Sequence, residues 1–214
     1  ASTDIPDYVL RYGVKIKGFG LGDLVITSEH SEDRTQITGE TFPNAIAGLF
    51  GDGKVVELIE YRNSGQGLKL SRITEKKGRE LDDITIVNVS ADGKNIDFAG
   101  KNKNYALRAG EQIDANTFPL LTLLGINDFS AGKRERVVSG KRVREYQYNE
   151  STTETITVPA GEFETLKVSK TRLDDSSKIV TTWMTLEPPR YPVKITIVQN
   201  GKPGAVISLL KKER

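Results

Sequence analysis

Arg142, Arg144, Tyr146 and Tyr148 occupy every second position of one short stretch. In a β-strand that spacing puts all four side chains on one face. Guanidinium groups beside phenols suit the handling of a sugar acid, because the cation neutralises the carboxylate while a tyrosine moves a proton. A lyase would use such a face, and a hydrolase would add a pair of the many carboxylates. Tyr61-Arg62 is a second pair of the same kind. The competing account is a basic strand face with tyrosines packed at its edge. Trp183, the one tryptophan, reads either as an anchor of the surrounding core or as the floor of an apolar or sugar site, with Tyr191 across the next turn.

Other catalytic equipment is sparse. The single histidine, His30, lies in the polar stretch Ser28-Glu29-His30-Ser31-Glu32-Asp33, and the chain has no Gly-x-Ser-x-Gly elbow to give it a nucleophile. It reads as a solvent-exposed surface histidine. Cysteine is absent, so disulfides, thiolate metal sites and cysteine nucleophiles are excluded together. The acidic pairs Asp82-Asp83 and Asp174-Asp175 fall at turns, which aspartate favours on its own account. No metal and no cofactor are expected.

The net charge is +2, from 31 Lys and Arg against 29 Asp and Glu, so no global field draws in nucleic acid. Residues 133–144 concentrate six Lys or Arg against one Glu around the turn Ser139-Gly140. Such a hairpin either recruits an anionic lipid, glycan or other envelope component, or uses charge to keep a sheet edge from aggregating.

The elements that must position these groups are strands. Tyr8, Leu10, Tyr12, Val14 and Ile16 alternate with Val9, Arg11, Gly13 and Lys15, as in a half-buried strand. Glycines at 18, 20 and 22 turn the chain into a second strand over 21–28 and imply a curved sheet or a close backbone approach. Further strands are predicted at 35–40, 55–62, 68–76, 81–89, 95–99 and 104–107, and again from Lys133 to Leu210. Reversals fall at 159–162, 174–177, 187–190 and Asn200-Gly201-Lys202-Pro203-Gly204, the strongest hairpin signal in the chain. One face of the last hairpins, through Leu166, Val168, Ile195, Ile197, Ile207 and Leu209, should be buried. Two short helices interrupt the strands, one over 44–50 closed by Gly51 and one over 115–124. The second is capped by Asn116 or Thr117, carries Pro119 in its first turn and is greasy enough to plug a curved sheet.

Thr157-Val158-Pro159-Ala160-Gly161-Glu162-Phe163-Glu164-Thr165-Leu166-Lys167-Val168, the strand around Trp183, then Pro192-Val193-Lys194-Ile195 and a closing strand over 205–210 resemble the C-terminal half of the DUF3108 family of bacterial envelope proteins. Tyr12 to Leu24 is similar to that family's opening hairpin. Val158 departs from its pattern, where threonine commonly precedes the proline. The resemblance implies a periplasmic protein and brings no catalytic residues with it. The opening Ala1-Ser2-Thr3-Asp4, small and without methionine, suits a start left by removal of a signal peptide.

The expectation is therefore an all-β, mainly antiparallel single domain over 1–214: a curved sheet or incompletely closed up-and-down β-barrel with one or two short helices. Its expected role is that of a non-catalytic envelope protein holding a lipid, glycan or other amphiphile in a β groove. A carbohydrate-active enzyme, lyase or hydrolase, is the second expectation, and an interaction module without a small ligand the third. No apolar run approaches the roughly 20 residues of a transmembrane helix.

Overall fold

The computed structural model describes residues 5, 7–49, 53–65, 67–99, 104–107 and 112–213. The opening tetrapeptide and the predicted helix end at Phe50-Gly51 lie outside them. Chain order gives β1 (Tyr8–Ile16), β2 (Phe19–His30), β3 (Arg34–Pro43), α1 (Ala45–Leu49), β4 (Val55–Ser64), β5 (Gly67–Lys77), β6 (Asp83–Val89), β7 (Asn95–Phe98) and β8 (Asn104–Ala106). Then follow β9 (Ile113–Ala115), α2 (Leu120–Leu123), β10 (Arg134–Ser139), β11 (Arg142–Val158), β12 (Gly161–Arg172), β13 (Asp175–Thr185), β14 (Pro192–Gln199) and β15 (Lys202–Lys212).

The fifteen strands of the described residues form one sheet in the order β8-β7-β6-β5-β4-β3-β2-β1-β15-β14-β13-β12-β11-β10-β9. Two meanders run outward from the β1–β15 pair, where Tyr12 faces Leu209 and Val14 faces Ile207. Every pairing is antiparallel except β9 on β10. The order ends at β8 and β9 without joining them, so the sheet is curved and unclosed, as expected.

Turn chemistry explains the meander. Asn200 and Gly201 both take positive φ, 53° and 69°, as the tight reversal between β14 and β15 requires. Gly22 has φ 134°, and a Cβ there would stand 2.1 Å from the Phe42 carbonyl oxygen, so β2 and β3 approach at a point only glycine fits.

The second helix is shorter than predicted. Asn44 caps α1, its Oδ1 accepting from the Ile46 and Ala47 amides at 3.0 and 3.1 Å. In the second segment, residues 113–115 form strand β9, and helix begins only after Pro119. Neither Asn116 nor Thr117 caps α2. Asp114 does so from the strand before it, with Oδ2 accepting from the Leu121 amide at 2.9 Å and the Thr122 amide at 3.4 Å.

The core is lopsided. Leu10, Ile26, Ile37, Ile59, Ile73, Val87 and Ile96 on β1 to β7 are closed over by Ile113, Phe118, Leu120, Leu121 and Leu123. Segment 113–124 is thus the expected plug, and it fills the concave side of the N-terminal half. The C-terminal half is less well covered: Val168 and Leu209 are buried, whereas Ile195, Ile197 and Ile207 are only half-buried.

Candidate functional site: a cavity beside the plug

The space left between the plug and the C-terminal half is a cavity of about 250 Å³. On the plug side its wall is Asn116, Thr117, Pro119, Thr122 and Leu123. The sheet side follows from register. Val168 pairs with Thr182, Thr182 with Ile195 and Ile195 with Ile207, giving one cross-strand row of the wall. Met184 and Pro192 form a row on one side of it. On its other side run Tyr148, Lys170, Val180 and Ile197, and beyond them Tyr146 and Lys178. The cavity is therefore graded, apolar over most of its length and polar where β11 leaves the β10–β11 turn and β12 turns into β13.

The polar end is built around a buried ion pair. The Lys170 ammonium pairs with Glu135 on β10, and both side chains are nearly excluded from solvent, at 10% and 1% exposure. Thr122 Oγ1 donates to the other Glu135 oxygen at 2.8 Å, so the plug and the sheet share one carboxylate. Lys170 also stands 4.7 Å from the centre of the Tyr146 ring and 6.0 Å from that of Tyr148. Burial pushes both phenols above their ordinary range; for Tyr146 the charges of Lys170 and Arg172 partly offset it. Phenols so perturbed give up a proton reluctantly, the reverse of what a lyase base needs.

The residues singled out by sequence are divided by this geometry. Tyr146 and Tyr148 line the cavity. Arg144 and Arg142 continue their face toward the β10–β11 turn without lining it; Arg144 pairs with Asp174, and Arg142 is exposed. Trp183 lies on the convex side, because its neighbours Thr182 and Met184 face inward. Its half-buried ring sits between the ammonium groups of Lys167 and Lys194, 5.6 and 5.1 Å from its centre, and its Nε1 donates to Glu154. It is neither core anchor nor floor of the cavity. Tyr191 packs against the core edge beneath Lys212, 4.8 Å away, and only its neighbour Pro192 reaches the cavity.

Other groups are accounted for structurally. Tyr61 is fully buried and hydrogen-bonded to Asp114, so it offers no surface to a substrate. His30 is half-buried at the end of β2, its Nδ1 2.7 Å from Thr35 Oγ1, in place of the exposed loop expected. Asp83 lies 3.9 Å from Lys141, and Asp174 and Asp175 pair with Arg172. No group of three or more metal-ligating side chains occurs among the described residues. The basic hairpin is largely neutralised within the fold: Lys133 reaches Asp128, Arg134 and Arg136 share Glu145, and Lys141 reaches Asp83.

Lys170 and Lys178 escaped the sequence reading. Their signal was present as two lysines inside otherwise apolar alternating runs, Val168-x-Lys170 and Lys178-x-Val180-x-Thr182-x-Met184. It becomes legible only once the concave face is known.

The fold has a solved counterpart. The crystal structure of a beta-barrel-like protein of the domain of unknown function DUF1849 from Brucella abortus is similar with a TM-score of 0.67, at 12% identity over 99% of both chains. A protein with a YmcC-like fold from Bacteroides fragilis is covered to 95%, against 97% of this chain, at 12% identity and a TM-score of 0.38. No curated relative matches the chain. The family model described as Protein of unknown function (DUF3108) matches residues 7–205.

Proposed function

The chain belongs to the DUF3108 family, and from its half-filled interior we propose that it is a non-catalytic cell-envelope protein that holds the apolar tail of an amphiphile. The observation that carries this reading is the cavity wall, where Val168, Val180, Met184, Ile195, Ile197 and Ile207 face about 250 Å³. Small-molecule sites are concave, mostly apolar and edged by a few polar groups, with volumes from about 300 Å³ upward. This cavity sits just below that range and has that composition, which suits one hydrocarbon chain better than a folded or branched ligand. An unfilled apolar space forfeits packing contacts that a core normally makes. A bound tail restores them.

A place in the periplasm belongs to the same reading. It rests on the resemblance to envelope proteins. No helix among the described residues is long and apolar enough to cross a membrane.

The enzyme reading receives less support. The Arg142, Arg144, Tyr146 and Tyr148 face is split between paired or exposed guanidinium groups and buried phenols held in their neutral form.

Native mass spectrometry of the protein purified from a bacterial envelope tests the proposal. A wild-type sample carries adducts with the mass of single-chain amphiphiles, and Val180→Trp, which fills the cavity, removes them. Wild-type protein free of adducts after incubation with a single-chain amphiphile overturns it.

A further inference from the structure

The polar end of the cavity has one cation more than its carboxylates can satisfy. Arg144, Lys170, Arg172 and Lys178 gather there against Glu135, Asp174 and Asp175. Lys170 is taken by Glu135, Arg144 by Asp174, and Arg172 by Asp174 and Asp175 at 2.7 Å each. Lys178 makes no ion pair among the described residues, yet it lines the cavity. Its β13 neighbours on the same face are Val180, Thr182 and Met184, so its stem runs along the apolar wall and its head stands at the wall's end.

We propose, on the reading that the cavity takes an apolar tail, that its ligand is a single-chain anionic amphiphile whose carboxylate or phosphate pairs with Lys178. Charge complementarity is the argument. Lys178 stands beside apolar wall among the Arg172 and Arg144 guanidinium groups and the Asp175 and Asp174 carboxylates that those arginines already hold; burial first and the two cations next lower its proton affinity, and the carboxylates offset this only in part. A neutral amphiphile would leave that charge unmatched, whereas an anionic head would pair with it and could share the donors of nearby Arg172. The grading of the wall fixes orientation: tail toward Met184 and Pro192, head toward the turns that end β12 and begin β13.

The test uses N-phenyl-naphthylamine, an uncharged fluorescent apolar probe, displaced from the protein by laurate, lauryl phosphate or lauryl alcohol. These share one tail and differ in head. Charge-assisted hydrogen bonds predict that the better of the two anions competes about tenfold more strongly than the alcohol on wild type. Lys178→Met should remove that advantage, read as the ratio of anion to alcohol competition on the same variant. Whichever anion leads identifies the head as carboxylate or phosphate. Equal competition by alcohol and anions on wild type overturns the anionic assignment while leaving the tail cavity standing. An advantage that survives in Lys178→Met overturns the role of Lys178. A protein that binds neither the probe nor any lauryl compound overturns the cavity reading, and this inference with it.

Discussion

The Tyr61 hydroxyl on β4 donates to Asp114 Oδ1 at 2.5 Å, joining the wall of the N-terminal half to the strand that opens the plug. Asp114 is fully buried and also accepts from the amides of Ala115 and Leu121 at 2.8 and 2.9 Å. One carboxylate thus orients β9, starts α2 and ties both to β4. The position of the plug follows from it, and so does the space left over on the other side. Tyr61→Phe removes one donor from a buried acceptor and should cost about 1–3 kcal/mol of stability in urea unfolding. A loss within experimental error would show that the plug is held by its leucines alone.

The same carboxylate makes stability depend on pH. Burial raises Asp114 from its ordinary 3.8 to about 7; the nearby Glu135 charge acts in the same sense, and the Tyr61 hydrogen bond opposes it. The folded state therefore holds this proton more tightly than the unfolded chain does. Its stabilising contribution is complete below about pH 4 and is lost as the pH rises through about 7. Glu57, raised mainly by burial, contributes in the same direction. Urea midpoints of wild type and Asp114→Asn, measured across this interval, should differ in slope, the wild type losing more stability toward alkaline pH. Parallel curves would mean that Asp114 stays ionised in the fold.

Truncations should separate core from cavity wall. Leu209 is fully buried opposite Tyr12, and Leu209→Ala should cost about 2–5 kcal/mol. Ile195 borders space that already exists, so Ile195→Ala loses fewer contacts and should cost about 0.5–2 kcal/mol. Equal losses in thermal or urea unfolding would mean that the cavity is packed shut in solution.

Strands and turns were legible because their signals are local. The alternation from Tyr8 to Ile16, the Asn200-Gly201 reversal and the proline and glycine around 159–161 each constrain the backbone without reference to the rest of the chain. The face of a strand is a different matter. On β13 the odd positions Ile179, Thr181, Trp183 and Thr185 look as apolar as the even positions Val180, Thr182 and Met184, and only the sheet's curvature decides which set faces inward. Trp183 belongs to the outward set and Lys178 to the inward one, and neither assignment is written in the local pattern. The basic hairpin misled differently: its partners Asp83 and Asp128 lie outside the stretch, so their neutralising charges were invisible in it. Asp114 stands one residue before the predicted second helix, and nothing local marks its contact with Tyr61, which spans 53 residues.

An apolar tail bound in the space beside the plug meets a reporter that the chain itself carries. Met184 is the one methionine and lines the cavity, whereas Trp183, the one tryptophan, is adjacent in sequence and faces the other way. Titration of methyl-labelled protein with laurate, followed by NMR, should move the Met184 methyl resonance saturably while the Trp183 indole signal stays in place. A Met184 resonance that does not move while laurate binds would put the ligand elsewhere and contradict the account.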